Sequence, residues 1–253
     1  MLQALIFDVD GTIANTEEEH RKAFNRIFKQ TGLDWVWTRP VYHRLLKVAG
    51  GRERILHYIQ QYHPDMLTRP DLNEWIQRMH QEKTVLYNQA VESGAIPLRI
   101  GFSRLAAQAR DEGLRLAIAT TTSRVNVESL LSSTLGPESL AWFEAWGTGE
   151  SARQKKPSPD VYLAVLAQLD LPAGDCLAVE DSANGLRASL GAGIPAIITE
   201  SPYTRGEDFA GALAVMDHLG EPGRPMEVSQ GFAHGKNWVD LELLRLWHSE
   251  ARN

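Results

Sequence analysis

Leu5-Ile6-Phe7-Asp8-Val9-Asp10-Gly11-Thr12 decides how the chain is read. A short apolar run ends in two carboxylates spaced two apart, then a glycine and a hydroxyl residue. Alternate side chains of an extended chain share a side, so Asp8 and Asp10 face one point. Like charges that close repel unless a cation or a proton stands between them. Gly11 lets the backbone turn sharply and lets a ligand approach. Asp and Gly are also ordinary turn residues, so these eight positions alone fit a strand with a polar turn equally well.

Working outward, apolar Ala23, Phe24, Ile27 and Phe28 recur at helical spacing, which predicts a helix over 16–30 with Thr16 as its N-cap and Gly32 as its stop. Glu17 and His20 then share a face of its first turns. Residues 34–88 read as helical throughout, with Trp35, Trp37, Tyr58 and Trp75 as core. Within them Gly50 and Gly51 lead into a helix predicted over 54–61. Two glycines before a helix start free backbone donors, and Arg52 and Arg54 add charge, a combination suited to an anion or to a plain helix–helix turn.

From residue 100 helices and strands alternate: helix 103–112, strand 116–119, helix 125–131, a short strand near 142–146, helix 159–169, strand 177–179, helix 184–192 and strand 196–199. That order predicts a parallel sheet covered on both faces. Right-handed crossovers set the strand C-termini along one edge, where such folds bind ligands. The first strand joins this sheet, so the helical stretch is an insertion. The expected division is an α/β unit of residues 1–15 and 95–253 and a helical unit of residues 16–94.

At 253 residues the chain can bury a full core, and 43% hydrophobic with 23% charged residues is ordinary globular composition. A net charge of −6 without a basic block argues against a nucleic-acid partner. No apolar run reaches membrane-spanning length, and no signal peptide precedes the first strand, which makes a cytoplasmic protein the expectation. Cys176, the one cysteine, lies in an apolar run and reads as a small buried hydrophobe. No long apolar stripe asks for a partner copy, so a monomer is expected.

Each strand end carries polar residues: Asp8 and Asp10, then Thr120-Thr121-Thr122-Ser123, then Glu180-Asp181-Ser182, with Lys155-Lys156-Pro157-Ser158-Pro159-Asp160 before a helix. Several carboxylates around one point suit a hard divalent cation, commonly Mg²⁺. A hydroxyl and a lysine at the same point suit phosphate. A carboxylate beside both can attack phosphorus in line, and the carboxylate two residues on can protonate the leaving oxygen.

These motifs, in this order and at these separations, resemble the haloacid dehalogenase (HAD) superfamily, and the resemblance covers nearly the whole chain. It implies a Rossmann-like core with an inserted helical C1 cap, and a phosphatase that works through an aspartyl-phosphate. Asp8 would be the nucleophile and Asp10 the general acid and base. Thr120 and Lys156 would hold the phosphoryl oxygens, with Thr121 and Thr122 as neighbours able to meet substrate instead. Mg²⁺ would take Asp8, the backbone carbonyl of Asp10 and Asp181, with Glu180 direct or through water.

Glu17, His20 and the run Gly50-Gly51-Arg52-Glu53-Arg54 look like the CbbY type, the xylulose-1,5-bisphosphate phosphatases, as do Asp34-Trp35-Val36-Trp37 and Pro202-Tyr203-Thr204-Arg205. By that resemblance Glu17 and His20 would meet sugar hydroxyls or orient the leaving group. Arg54, with Arg52 as an alternate, would bind the second phosphate of a phosphorylated sugar. β-Phosphoglucomutases share the motifs and a histidine at position 20, but their cap loop carries a lysine before a Gly-x-Ser-Arg run, where Val48-Ala49-Gly50-Gly51-Arg52 stands in this chain. A phosphoglycolate-type phosphatase is a further alternative, against which the elaborated cap loop argues. A non-enzymatic binding role fits poorly, since no motif is missing.

Overall fold

β1 (Ala4–Phe7) is buried at every position, as a strand covered on both faces must be. The computed structural model describes residues 1–48, 50–94 and 96–251; Ala49 of the glycine loop and Ala95 of the expected boundary lie outside them. Two compact units emerge, Met1–Asn15 with Ile96–Asn253, and Thr16–Ala95.

The helical unit holds α1 (Thr16–Gln30), α2 (Arg39–Leu45), α3 (Gly51–Tyr62) and α4 (Leu72–Glu92). Helix α1 spans the residues expected from the sequence, Thr16 to Gln30. Gly32 takes φ +75° and closes the helix with its N–H on the Lys29 carbonyl. Helix α3 begins three residues before the predicted 54, with Gly50 at φ 101° as its cap. Gly51 is therefore helical, and a Cβ there would stand 2.4 Å from His80 Nε2. Trp35, Trp37 and Tyr58 pack with Phe24 and Phe28 in an aromatic core, the Phe24 and Trp37 rings 4.6 Å apart.

The α/β unit adds α5 (Phe102–Asp111), β2 (Arg115–Ala119), α6 (Arg124–Leu135), β3 (Phe143–Gly147), α7 (Asp160–Leu169), β4 (Cys176–Glu180), α8 (Ala183–Gly191), β5 (Ala196–Thr199), β6 (Ala214–Met216), β7 (Val228–Gln230) and α9 (Leu241–Glu250). The sheet order is β3-β2-β1-β4-β5-β6-β7, parallel except where β7 runs against β6. Ala4 and Ile6 face a cluster built with Tyr162 and Val165 of α7 and Leu186 of α8. On the opposite side the Phe7 ring meets Phe102 of α5 edge-on at 5.3 Å. Cys176 lies at 0% exposure in the first of these layers, and burial pushes its thiol up to about 11, so it packs as the small hydrophobe that was expected.

β6 and β7 are additions to the strands expected from sequence. Each has three residues, too few for alternation to register. β7 is an edge strand with Ser229 and Gln230 exposed, so it lacks an apolar signature as well. Among the described residues no helix is long and apolar enough to cross a membrane.

Candidate active site

β1 sits between β2 and β4 in register, Phe7 beside Ile118 and Val179. Three strands therefore end side by side. Asp8, Thr120 and the pair Glu180–Asp181 leave the same edge because each follows or closes one of them. The Asp8 N–H continues the ladder to the Val179 carbonyl at 3.0 Å, and the Thr120 N–H donates to Gly147 at 2.9 Å.

Lys156, only 7% exposed, reaches into the middle of this edge. Its ammonium donates to Asp8 Oδ1 at 2.7 Å, to the Ala119 carbonyl at 2.7 Å and to Glu180 Oε1 at 2.5 Å. The Tyr162 hydroxyl gives Glu180 Oε1 a second donor at 2.6 Å. Asp8 and Glu180 together hold Lys156 charged and raise its pKa against the opposing effect of burial.

One ammonium does not balance the carboxylates around it. Ligand atoms of Asp8, Glu180 and Asp181 lie within 4.8 Å of one another, and all three residues are buried. Burial first, then the neighbouring carboxylates, push Asp8 up to about 7. Asp181 rises well above the ordinary carboxylate range by burial and by the charges of Asp8 and Glu180, with Ser201 and Arg99 pulling the other way. A close-set group of hard oxygen donors short of positive charge fits a divalent cation.

Two glycines make room for this cluster. A Cβ on Gly11, which also takes φ +91°, would lie 2.0 Å from Asp181 Oδ2, and one on Gly185 would lie 1.9 Å from Glu180 Oε2. Gly11 is thus fixed by both its turn and the carboxylate beside it, whereas Gly185 was not singled out from the sequence.

The second motif divides its threonines. Thr120 is buried and its hydroxyl accepts the Thr122 N–H at 3.2 Å. Thr122 donates its own hydroxyl to Asp10 Oδ2, so it orients Asp10. Thr121 is exposed.

In the helical unit Glu17, His20 and Arg54 lie in one polar cluster, and Arg52 stands exposed outside it. Tyr42 donates its hydroxyl to Glu17 Oε2 at 2.7 Å and accepts from Arg54 Nη1 at 3.1 Å. Arg54 Nε donates to the Val48 carbonyl at 3.0 Å, and Arg54 comes within 4.0 Å of Glu17. Lys83 Nζ stands 2.6 Å from His20 Nδ1, and the His20 ring stacks on Tyr87 at 3.8 Å. Burial, then Lys83, Arg54 and His80, hold His20 well below the ordinary histidine range. His20 is therefore neutral, with Nδ1 accepting from Lys83 and its proton on Nε2.

Tyr42, His80, Lys83 and Tyr87 did not emerge from the sequence. Lys83 had a readable signal: Ile76, Met79, Lys83, Tyr87 and Val91 form the buried stripe of α4. A lysine in an otherwise apolar stripe is a buried cation, not a solvated one.

A family model described as haloacid dehalogenase-like hydrolase matches residues 2–193. The plasmid-encoded CbbY protein of Cupriavidus necator is 50% identical over 248 residues, covering 98% of this chain and 97% of that protein. Crystal structures of CbbY from Rhodobacter sphaeroides, one with phosphate and one of an Asp-to-Asn variant with xylulose-1,5-bisphosphate, match at 43% identity and TM-score 0.79, over 86% of this chain and 95% of theirs. With the strand-edge carboxylates and their lysine so arranged, and this similarity along nearly its whole length, the chain belongs to the haloacid dehalogenase-like hydrolases and is a phosphatase of their CbbY group.

Proposed function

We propose that this phosphatase uses Mg²⁺ to remove the 1-phosphate of xylulose-1,5-bisphosphate. The observation that carries the chemistry is the shared lysine: Lys156 bridges Asp8 and Glu180 while three buried carboxylates remain short of charge. The substrate is carried by the likeness to the CbbY protein that was crystallised with this bisphosphate.

Asp8 is the nucleophile. Lys156 holds one of its oxygens and steers the other toward phosphorus. A bond forms between that oxygen and phosphorus as the bond from phosphorus to the sugar oxygen breaks, and Asp10 gives the departing oxygen its proton. Thr122 keeps Asp10 in place for this transfer. Water then attacks phosphorus, Asp10 takes its proton, and Asp8 leaves as a carboxylate with phosphate released. Thr120 and Lys156 hold the phosphoryl oxygens through both steps. Asp8, the Asp10 carbonyl and Asp181 would hold Mg²⁺, with Glu180 direct or through water. When bound, the cation would offset the charge of the phosphoryl oxygens and of the carboxylates.

The helical unit serves recognition as the cap of the enzyme. Arg54 binds the non-reacting phosphate, with Arg52 and the Gly50–Gly51 backbone beside it in sequence, and Glu17 and neutral His20 meet the sugar hydroxyls. Thr121 is the exposed threonine left for substrate contact.

Phosphate release with Mg²⁺ from xylulose-1,5-bisphosphate, ribulose-1,5-bisphosphate, β-glucose-1-phosphate and phosphoglycolate tests the assignment. A strong preference for the xylulose bisphosphate, abolished by Asp8→Asn, is expected. Conversion of β-glucose-1-phosphate to its 6-phosphate without net phosphate release would make the enzyme a mutase and refute the substrate assignment.

A further inference from the structure

A cleft of about 570 Å³ opens in the α/β unit beyond β5 and β6, and none of the catalytic or metal-ligating residues above lines it. That volume suits a small metabolite. Asn15 and Pro97 form part of its wall, beside the two places where the chain leaves and re-enters the unit. Its floor is fixed by Arg99, 8% exposed, whose guanidinium donates to the carbonyls of Thr199 at 3.1 Å and Glu200 at 2.8 Å, and also to those of Gly11 and Asp217. Arg99 is thus spent on the backbone.

The remaining charges differ in how far they are occupied. Asp217 Oδ1 accepts the N–H groups of His218 and Glu227, each at 2.8 Å, and Glu200 Oε1 accepts the Gly206 N–H at 3.3 Å. Arg205 and Arg224 also line the cleft, and among the described residues neither side chain has a hydrogen bond or ion pair. Two unengaged guanidiniums match a phosphate group bidentately. Glu200 keeps acceptor capacity for hydroxyl groups.

We propose that this cleft is a second binding site, separate from the catalytic one, for a small phosphorylated polyol or free phosphate, with the phosphate on Arg205 and Arg224. Its route to the reaction is Arg99, which ties the cleft floor to the carbonyl of Gly11, the residue after Asp10. An occupant that shifts Glu200 or Asp217 therefore acts on the loop that carries the general acid.

The test titrates inorganic phosphate, and separately glycerol 3-phosphate, into the full-length Mg²⁺-loaded protein by calorimetry. Two binding events per chain are expected. The second should weaken about tenfold or more, about 1.4 kcal/mol, in Arg205→Ala/Arg224→Ala and recover in part in Arg205→Lys/Arg224→Lys. Binding of free phosphate at the second event would assign the site to the anion alone; binding of only glycerol 3-phosphate would assign it to the polyol ester. Because both arginines are exposed, kcat/KM without added phosphate should stay within about twofold in the alanine variant, while the part of phosphate inhibition that lowers kcat should disappear. A single event per chain, or two events both unchanged in the alanine variant, would overturn the site. Purely competitive inhibition that is the same in both proteins would overturn its action on turnover.

Discussion

Two buried lysines, one in each unit, sit in opposite surroundings. Lys156 is clasped by Asp8 and Glu180, and its neighbourhood still has carboxylate to spare. Lys83 meets an imidazole nitrogen and lies over the rings of Phe24 and Tyr87, at 4.8 and 5.2 Å. The ionisable groups record the contrast. Asp8 and Asp181 are pushed up, while His20 is pushed down with Lys83 and Arg54 among the causes. The strand edge gathers carboxylates around an ammonium, and the helical cluster sets cations beside an imidazole.

The sharpest break of this contrast removes the shared ammonium. Lys156→Met should abolish turnover and destabilise the protein by about 3–5 kcal/mol near neutral pH, because Asp8 and Glu180 then lose their buried counter-charge. Urea denaturation against wild type checks this, and an unchanged midpoint would show that Lys156 is not the neutralising group.

A smaller effect is expected from pH and metal together. Asp8 has a folded pKa of about 7, above its ordinary value of 3.8, so the metal-free folded state binds the extra proton. Its contribution to stability is then fully present below the ordinary value and is lost as pH rises toward 7. Mg²⁺ needs the ionised carboxylates, so its stabilisation grows over the same interval. The difference in Tm between Mg²⁺ and chelator should therefore widen from about pH 5 to about pH 8, and a difference independent of pH would separate Asp8 from the metal.

The smallest change concerns the helical cluster. Lys83→Met removes a cation beside His20, so the His20 pKa should rise toward the ordinary histidine value, read from its NMR titration. With the Nδ1 donor gone, kcat/KM should fall about tenfold, the scale of one lost charged hydrogen bond. A histidine titration identical to wild type would place the low pKa in burial, Arg54 and His80, without Lys83.

The strand-edge site was legible in the sequence because a parallel sheet turns strand order into proximity. Asp8, Thr120, Lys156 and the Glu180–Asp181 pair are far apart along the chain, yet each stands at a strand end or in the loop before a helix, and periodicity locates those. What stayed hidden depends on contacts between elements. Thr122 and Thr121 are adjacent and alike in sequence, and only the turn after β2 sends one to Asp10 and the other to solvent. Arg54 and Arg52 are divided in the same way by the face of α3. Tyr42 and Lys83 come from α2 and α4, and nothing local links either to Glu17 or His20.

The most direct test of the charge contrast is the effect of Arg54→Ala on xylulose-1,5-bisphosphate against a sugar monophosphate, with steady-state phosphate release as the readout. If the helical cluster holds the second phosphate, KM should rise for the bisphosphate by about tenfold or more, the scale of one lost charged contact, and should change little for the monophosphate. Equal increases for both substrates would contradict the account.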